Sequence, residues 1–318
     1  MKTILSFSIL LFLLLFHFSC EQIVELDLDS YESALSANIV LSTNAQTTEL
    51  FLGRSLSVQD ETAYLALNEA VATLTAGNGP SVVLDFAESI TGQLNVQFPG
   101  GTISRYVAED ILVFPGDTYS LVLSHPGYPA LSAEVKIPDF ISQYSVALSD
   151  FLLGEDGAEH NALLEISFQD DVDTEDYYEL IAYNSGLDSI FVSGFGHYLY
   201  FLDNPFPVRI NTENNLFDDS WLSSLLMNDK TFNGDLFHFS VQVQFYPQYD
   251  GQGNTYFTPI TIELRHISES YYRYYRTLNR QNQANGDPFS EPVLVYNSIN
   301  GGKGVMAAYS TQFREITP

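Results

Sequence analysis

Residues 236–246 read LFHFSVQVQFY, and this stretch decides the fold class. Phe237, Phe239, Val241, Val243 and Phe245 recur at every second position, separated by His238, Ser240, Gln242 and Gln244. A period of two places the five apolar side chains on one face of an extended chain, whereas a helix would scatter them around its axis. Runs of the same kind recur to either side. They predict strands at 35–43, 47–53, 70–75, 81–86, 93–98, 118–124 and 130–137, then at 143–148, 162–168, 177–183, 258–267, 293–296 and 305–309. Turn-forming residues punctuate them, among them Gly77-Asn78-Gly79-Pro80, Pro99-Gly100-Gly101, Pro115-Gly116-Asp117 and Asn300-Gly301-Gly302. Many short strands at near-regular spacing predict an all-β, mainly antiparallel protein.

One segment breaks the pattern. Tyr271, Tyr275 and Leu278 fall at i, i+4 and i+7, and Ser268 stands where a capping hydroxyl would. That spacing predicts a helix near 268–284, closed by Asn285-Gly286. With 318 residues, 45% of them hydrophobic, the chain can bury two cores, although one large β domain also fits. The expected division is an immunoglobulin-like or transthyretin-like sandwich at 35–138 and a larger β-rich domain at 139–318 carrying the helix.

The amino terminus is read differently. Lys2 supplies a positive start, and residues 4–18 are apolar apart from Ser6, Ser8 and His17. That stretch is shorter than the roughly 20 residues a membrane span needs, so residues 1–19 read as a cleaved signal peptide. Cys20 follows at once, and it is the only cysteine. An intrachain disulfide is therefore impossible, and the chemistry that fits is thioether attachment of diacylglycerol with a further acyl chain on the new amino terminus. Ser19 suits a bacterial lipidation signal, while His17 and Phe18 depart from its usual residues. A plain secreted protein with a free thiol is the other reading. Residues 20–34 then form an acidic tether.

The net charge of −28, from 12 basic and 40 acidic residues, repels phosphate backbones and argues against a nucleic-acid partner. Asp170-Asp171-Val172-Asp173-Thr174-Glu175-Asp176 has the oxygen density of a Ca²⁺ site, with Asp171, Asp173 and Glu175 as the candidate ligands. It lacks the glycine and the distal glutamate of an EF-hand loop, and a solvated acidic loop has the same composition. His125, His160, His197, His238 and His266 show no ligand spacing, and no nucleophile elbow is present. Gly301-Gly302-Lys303-Gly304 lacks the spacer and the hydroxyl residue of a phosphate loop. The expectation is a protein without catalytic residues or cofactor.

Positive charge is concentrated instead. Arg265, Arg273, Arg276 and Arg280 are four of the 12 basic residues. Arg273, Arg276 and Arg280 would share one helix face. They form either a solvated face paired with the acidic body or a docking face for an acidic partner.

The C-terminal third carries a family resemblance. Ile262-Glu263-Leu264-Arg265-His266-Ile267-Ser268-Glu269-Ser270-Tyr271-Tyr272-Arg273-Tyr274-Tyr275 is followed by Asp287-Pro288-Phe289-Ser290-Glu291-Pro292. Then comes Tyr296-Asn297-Ser298-Ile299-Asn300-Gly301-Gly302-Lys303-Gly304-Val305. Together these resemble the Bacteroidota lipoprotein family catalogued as domain of unknown function 4249. Phe232-Asn233-Gly234, Tyr177-Tyr178 and Pro115-Gly116-Asp117-Thr118-Tyr119 are similar to it too. Members are usually lipoproteins encoded beside TonB-dependent outer-membrane receptors. The resemblance therefore implies a non-enzymatic, outer-membrane, cell-surface accessory of such an uptake receptor. It brings no catalytic residues. An independent carbohydrate- or peptide-binding surface lipoprotein is the alternative.

Overall fold

The computed structural model describes residues 33–55, 66–77, 79–92, 101–109, 111–153, 160–184, 209–211, 219–221, 224–245, 248–249, 252, 255–256, 259–284, 290–291 and 293–317. The expected leader, Cys20, the strand at 93–98, the loop at 154–159 and Asn285-Gly286 lie outside these. The first seven strands are β1 (Leu35–Ser42), β2 (Thr47–Arg54), β3 (Val71–Ala76), β4 (Ser81–Gly92), β5 (Gly101–Glu109), β6 (Thr118–Ser124) and β7 (Leu131–Lys136). The next seven are β8 (Ser142–Leu153), β9 (His160–Gln169), β10 (Tyr177–Asn184), β11 (Arg209–Asn211), β12 (Asp219–Trp221), β13 (Ser224–Asn228) and β14 (Leu236–Phe245). After β15 (Gln248–Tyr249), β16 (Thr255–Tyr256) and β17 (Ile260–Ile267) come the helix α1 (Glu269–Ala284) and β18 (Lys303–Ile316). The protein is all-β and mainly antiparallel, with one helix near the C-terminus.

Twelve strands form one bent sheet in the order β12-β13-β10-β17-β18-β1-β2-β5-β4-β3-β6-β7. The bend lies in β4. Its first residues pair with β3 up to Ala72↔Leu84, and from Asp85 onward it pairs with β5, with a register shift between Phe86 and Glu88. An extra residue on one strand kinks and twists a ladder, which lets the sheet fold back on itself as a sandwich. Between the layers lie Ile39, Leu50, Leu52, Leu74, Tyr106, Leu121 and Leu123, all buried.

β18 closes that sandwich and opens the second half. It runs parallel to β1 from Ser36↔Lys303 to Ser42↔Tyr309, then antiparallel to β17 from Ile267↔Tyr309 to Ile260↔Ile316. Its first four buried residues alternate between two cores. Met306 and Ala308 join the sandwich core, while Val305 and Ala307 pack under α1. A strand covered on both faces loses the polar/apolar alternation of a half-exposed one. The segments on either side of the expected boundary at 138/139 are thus joined through β18, and Ser33–Pro318 is one compact unit.

α1 begins where it was expected. Ser268 Oγ accepts the N–H of Tyr271 at 3.2 Å, capping the helix, and also the N–H of Ala308 at 3.0 Å, tying the cap to β18. Tyr271 and Tyr275 are buried, and Leu278 packs beside them. A separate sheet, β11-β14-β9-β8, packs against the far face of β10 and β17, with Leu164, Ile166, Phe239 and Val241 meeting Leu180, Ile262 and Leu264.

Three differences from the sequence reading have physical causes. Residues 293–296 form no strand: the N–H of Tyr296 bonds Thr277 Oγ1 of α1 at 2.9 Å. β5 escapes the alternation pattern because small Ser104 and Ala108 share its inward face with Tyr106. β13 escapes it because Ser224, Leu225, Leu226 and Met227 are all buried and so do not alternate.

Candidate functional site

Two loops meet at one end of the second half. The first runs from Asp170 to Asp176 between β9 and β10, and the second from Asp229 to Asp235 between β13 and β14. Backbone bonds join them: Asp170 N–H to Asp235 O at 3.2 Å, and Asp229 N–H to Asp176 O at 3.1 Å. Gly234 must be glycine here. Its φ is +78°, and a Cβ would stand 2.7 Å from the side chain of Val172.

The junction brings together Asp170, Asp176 and Asp229, all buried, with oxygens within 4.8 Å of one another. Each carboxylate is held by donors of the chain itself. Tyr178 OH and Gly234 N–H donate to Asp170 at 2.5 and 2.7 Å. Thr174 Oγ1 donates to Asp176 at 2.7 Å, and the Asp176 N–H donates to Asp229 Oδ2 at 2.7 Å. His266 lies between two acceptors, Asp176 Oδ1 and Asp139 O, each at 2.9 Å, and stacks on Tyr178 at 5.1 Å. Its two ring nitrogens thus tie the connection after β7 to the carboxylate cluster.

Burial raises the Asp170 carboxyl, opposed by the bonds from Tyr178 and Gly234 and reinforced by the charges of Asp176 and Asp229. Burial likewise raises Asp229, against the bond from Asp176 N–H and with the charges of Asp176 and Glu175 adding to the rise. Burial would also raise Asp176, but the bonds from His266 and Thr174 and the charges of His266 and Lys136 hold it below the usual range. Tyr178 is pushed up, first by burial and then by its bond to Asp170.

Asp170 and Asp176 of this cluster line an open cleft of about 980 Å³. It is lined by the end of β7 and the connection to β8, including Phe140, and by the Asp170–Asp176 loop and the start of α1. The connection is fastened through Asp139 O, which also accepts Ser310 Oγ at 2.8 Å. The cleft's rim is acidic, with Glu134, Asp171, Glu175 and Glu269 against Lys136.

The expected site residues fall as follows. Asp171, Asp173 and Glu175 are exposed on the loop. Asp171 accepts the Asp173 N–H at 3.0 Å, and Glu175 accepts the Tyr177 hydroxyl at 3.0 Å. The carboxylates brought within reach of one cation are instead Asp170 and Asp176 of the same run, with Asp229. Asp229 and His266 carried no spacing signal, since they join the run only through the tertiary fold. Arg273 and Arg280 are exposed and Arg276 is half-buried. Arg273 pairs with Glu269 at 3.2 Å and covers the Tyr296 ring at 4.5 Å, and Arg276 lies 5.6 Å from the Tyr272 ring centroid. Arg265 does not belong to any solvated face. It is 3% exposed, on the side of β17 that lies under α1, and its Nη1 reaches the Tyr271 hydroxyl at 3.4 Å.

The sequence model of a family described as Domain of unknown function (DUF4249) matches residues 21–315. No curated protein matches the chain.

Proposed function

Because the chain belongs to the DUF4249 family, we propose that it is an exported, lipid-anchored binding protein that assists a TonB-dependent outer-membrane receptor at the cell surface. The observation that carries the binding reading is the cleft: a concave site of about 980 Å³ joining exposed apolar and acidic groups. The anchor reading rests on Cys20 at the end of an apolar leader. The receptor reading rests on the family resemblance of the C-terminal motifs.

The protein works without catalysis. The opposite shifts of Asp170 and Asp176 are those of an acid and a base, yet their oxygens are occupied by Tyr178, Gly234, His266 and Thr174. Groups so committed hold two loops in register and give the cleft its negative potential. Arg273, Arg276 and Arg280 offer a cationic stripe for an acidic surface of the receptor.

Purification of the mature protein in mild detergent tests this reading. A barrel protein should accompany it at a fixed ratio. A free monomer that binds glycans or peptides would instead support an independent binding module.

A further inference from the structure

The free edge of β7 lies in the cleft, and the ladder fixes which of its backbone groups face outward. Ser132 exchanges two hydrogen bonds with Asn300, N–H to O at 3.1 Å and the reverse at 2.8 Å. Ile137 exchanges bonds on the opposite side, with Asp117 O and Gly116 N–H. In an antiparallel ladder successive residues turn their N–H and C=O groups to opposite sides. The groups of Leu131, Ala133 and Val135 therefore serve β6, and those of Ser132, Glu134 and Lys136 face away from it. Ser132 is paired through Asn300. Among the described residues nothing pairs with the backbone of Glu134 or Lys136 on that side.

Antiparallel continuation from Asn300 would bring Ser298 opposite Glu134 and Tyr296 opposite Lys136. The chain does not continue that way. Ser298 N–H bonds Gly304 O at 3.1 Å, and Tyr296 N–H bonds Thr277 Oγ1 at 2.9 Å. The segment peels off toward α1, and the wedge it leaves is part of the cleft. Both Ser298 and Tyr296 line it.

Resting on the binding reading above, we propose that the cleft receives a basic oligopeptide in extended form, which adds as a short antiparallel strand to β7 at Glu134 and Lys136. Main-chain bonds to an unpaired edge give such a complex its affinity, and the surrounding side chains choose the sequence. The choice here is by charge and by apolar contact. Glu134, Asp171, Glu175 and Glu269 line the same cleft and outnumber Lys136. Phe140, 55% exposed, and Val172, 67% exposed, both line the cleft and offer apolar contacts to side chains of an added strand. A net charge of −28 draws cationic ligands toward the protein and concentrates them in a concave acidic site.

The test uses the full mature protein in detergent and four fluorescein-labelled hexapeptides read by anisotropy. They are alternating Lys-Val, the same sequence with alternate backbone nitrogens methylated, prepared in both registers, and alternating Glu-Val. The Lys-Val peptide should bind. At least one methylated register should bind on the order of tenfold more weakly, because it loses strand bonds but keeps every charge. D171N/E175Q, on the exposed loop, should weaken the Lys-Val peptide and leave the protein folded. Equal binding of both methylated peptides and the parent, stronger binding of Glu-Val, or no binding of Lys-Val would each overturn the proposal. A glycan or other ligand that binds and is lost on F140E would overturn the peptide inference while leaving the binding-protein reading intact.

Discussion

Arg265 Nη1 donates to Glu179 Oε2 at 3.1 Å beneath α1, with the two side chains 3% and 0% exposed. The guanidinium also grips Glu263 in a bidentate pair, at 2.6 and 3.1 Å, and lies 4.4 Å from the Tyr309 ring centroid. Both carboxylates are completed by hydroxyls. Ser224 and Tyr271 donate to Glu179 at 2.6 and 2.7 Å, and Thr311 donates to Glu263 at 2.8 Å. Burial opposes the charge on Arg265, but Glu263, Tyr309 and Glu179 raise its pKa well above the ordinary value. The network binds α1 to β10, β13, β17 and β18, the elements that also position the cleft.

The first prediction concerns that network. Arg265→Met leaves two carboxylates buried without a cation, a loss of about 3–5 kcal/mol in comparable sites. Urea denaturation should show it. R265M/E179Q/E263Q removes all three charges together and should recover much of the loss. Equal instability of the single and triple variants would mean that packing, not charge pairing, holds the helix.

The second prediction is a pH dependence. Asp170 and Asp229 are raised, so the fold binds their protons more readily than the unfolded chain does. Stability from these two groups therefore grows as pH falls through their raised values to the ordinary carboxylate value of about 4. Asp176 is lowered and acts in the opposite sense. Its contribution is present above the ordinary carboxylate value and is lost as pH falls through its own lower one. The melting temperature should thus rise on mild acidification from neutrality and fall in strong acid. Asp229→Asn keeps an oxygen for the Asp176 N–H and removes one charge. It should raise the melting temperature at pH 7 and flatten the mild-acid rise. A variant less stable than the parent at pH 7 and equally pH-dependent would refute this account.

The glycines of the β18 entry give a third. Gly304 has φ +111°, and a Cβ there would lie 2.1 Å from Ala37 O of β1. Gly301 has φ +80°, with Ala130 O at 2.5 Å from its added Cβ. Gly304→Ala should cost about 1–3 kcal/mol from backbone strain alone, with the clash adding to it. Gly53→Ala in β2, where an added Cβ meets nothing within 4 Å, should be tolerated. Chemical denaturation of the two variants side by side checks the contrast.

Legibility in the sequence followed exposure. β6, β7 and β14 each bury one face, so their alternation could be read directly, and Ser268, Tyr271, Tyr275 and Leu278 marked α1 by spacing. β13 and the first half of β18 are covered on both faces, which erases the alternation. The pairing of β1 with β18 joins Asn38 to Val305, and no local pattern encodes a partner that far along the chain. The same holds for the carboxylate cluster, whose third member arrives on a separate loop. Arg265 read as a neighbour of the helical arginines because it precedes them closely. Strand geometry turns it inward to Glu179 and Glu263.

The fourth prediction concerns the anchor. Cys20→Ser removes the sulfur that the acyl group would join, so the variant should remain unprocessed or leave the membrane. Fractionation with a radiolabelled fatty acid measures this. Equal membrane retention and equal labelling would show that Cys20 is not the anchor. Protease treatment of intact cells then tests the surface location, since complete protection would place the protein on the periplasmic side.

The last prediction separates two uses of the arginine stripe. Arg273 has an intrachain ion pair with Glu269 and a ring contact with Tyr296, and Arg276 has a ring contact with Tyr272. Exposed i,i+4 pairs contribute about 0.3–0.5 kcal/mol and exposed cation–π contacts about 0.5–1 kcal/mol. R273E/R276E/R280E should therefore lower the melting temperature slightly and leave the fold intact. Arg280 is exposed near the end of α1, and R280E should leave the melting temperature nearly unchanged. If the stripe docks on an acidic receptor surface, both variants weaken co-purification. The weakening should be greater at low salt, where opposite charges attract over a longer range. The triple variant should lose more than R280E. Undiminished co-purification of the triple variant at low salt would assign the stripe to the stability of α1 alone.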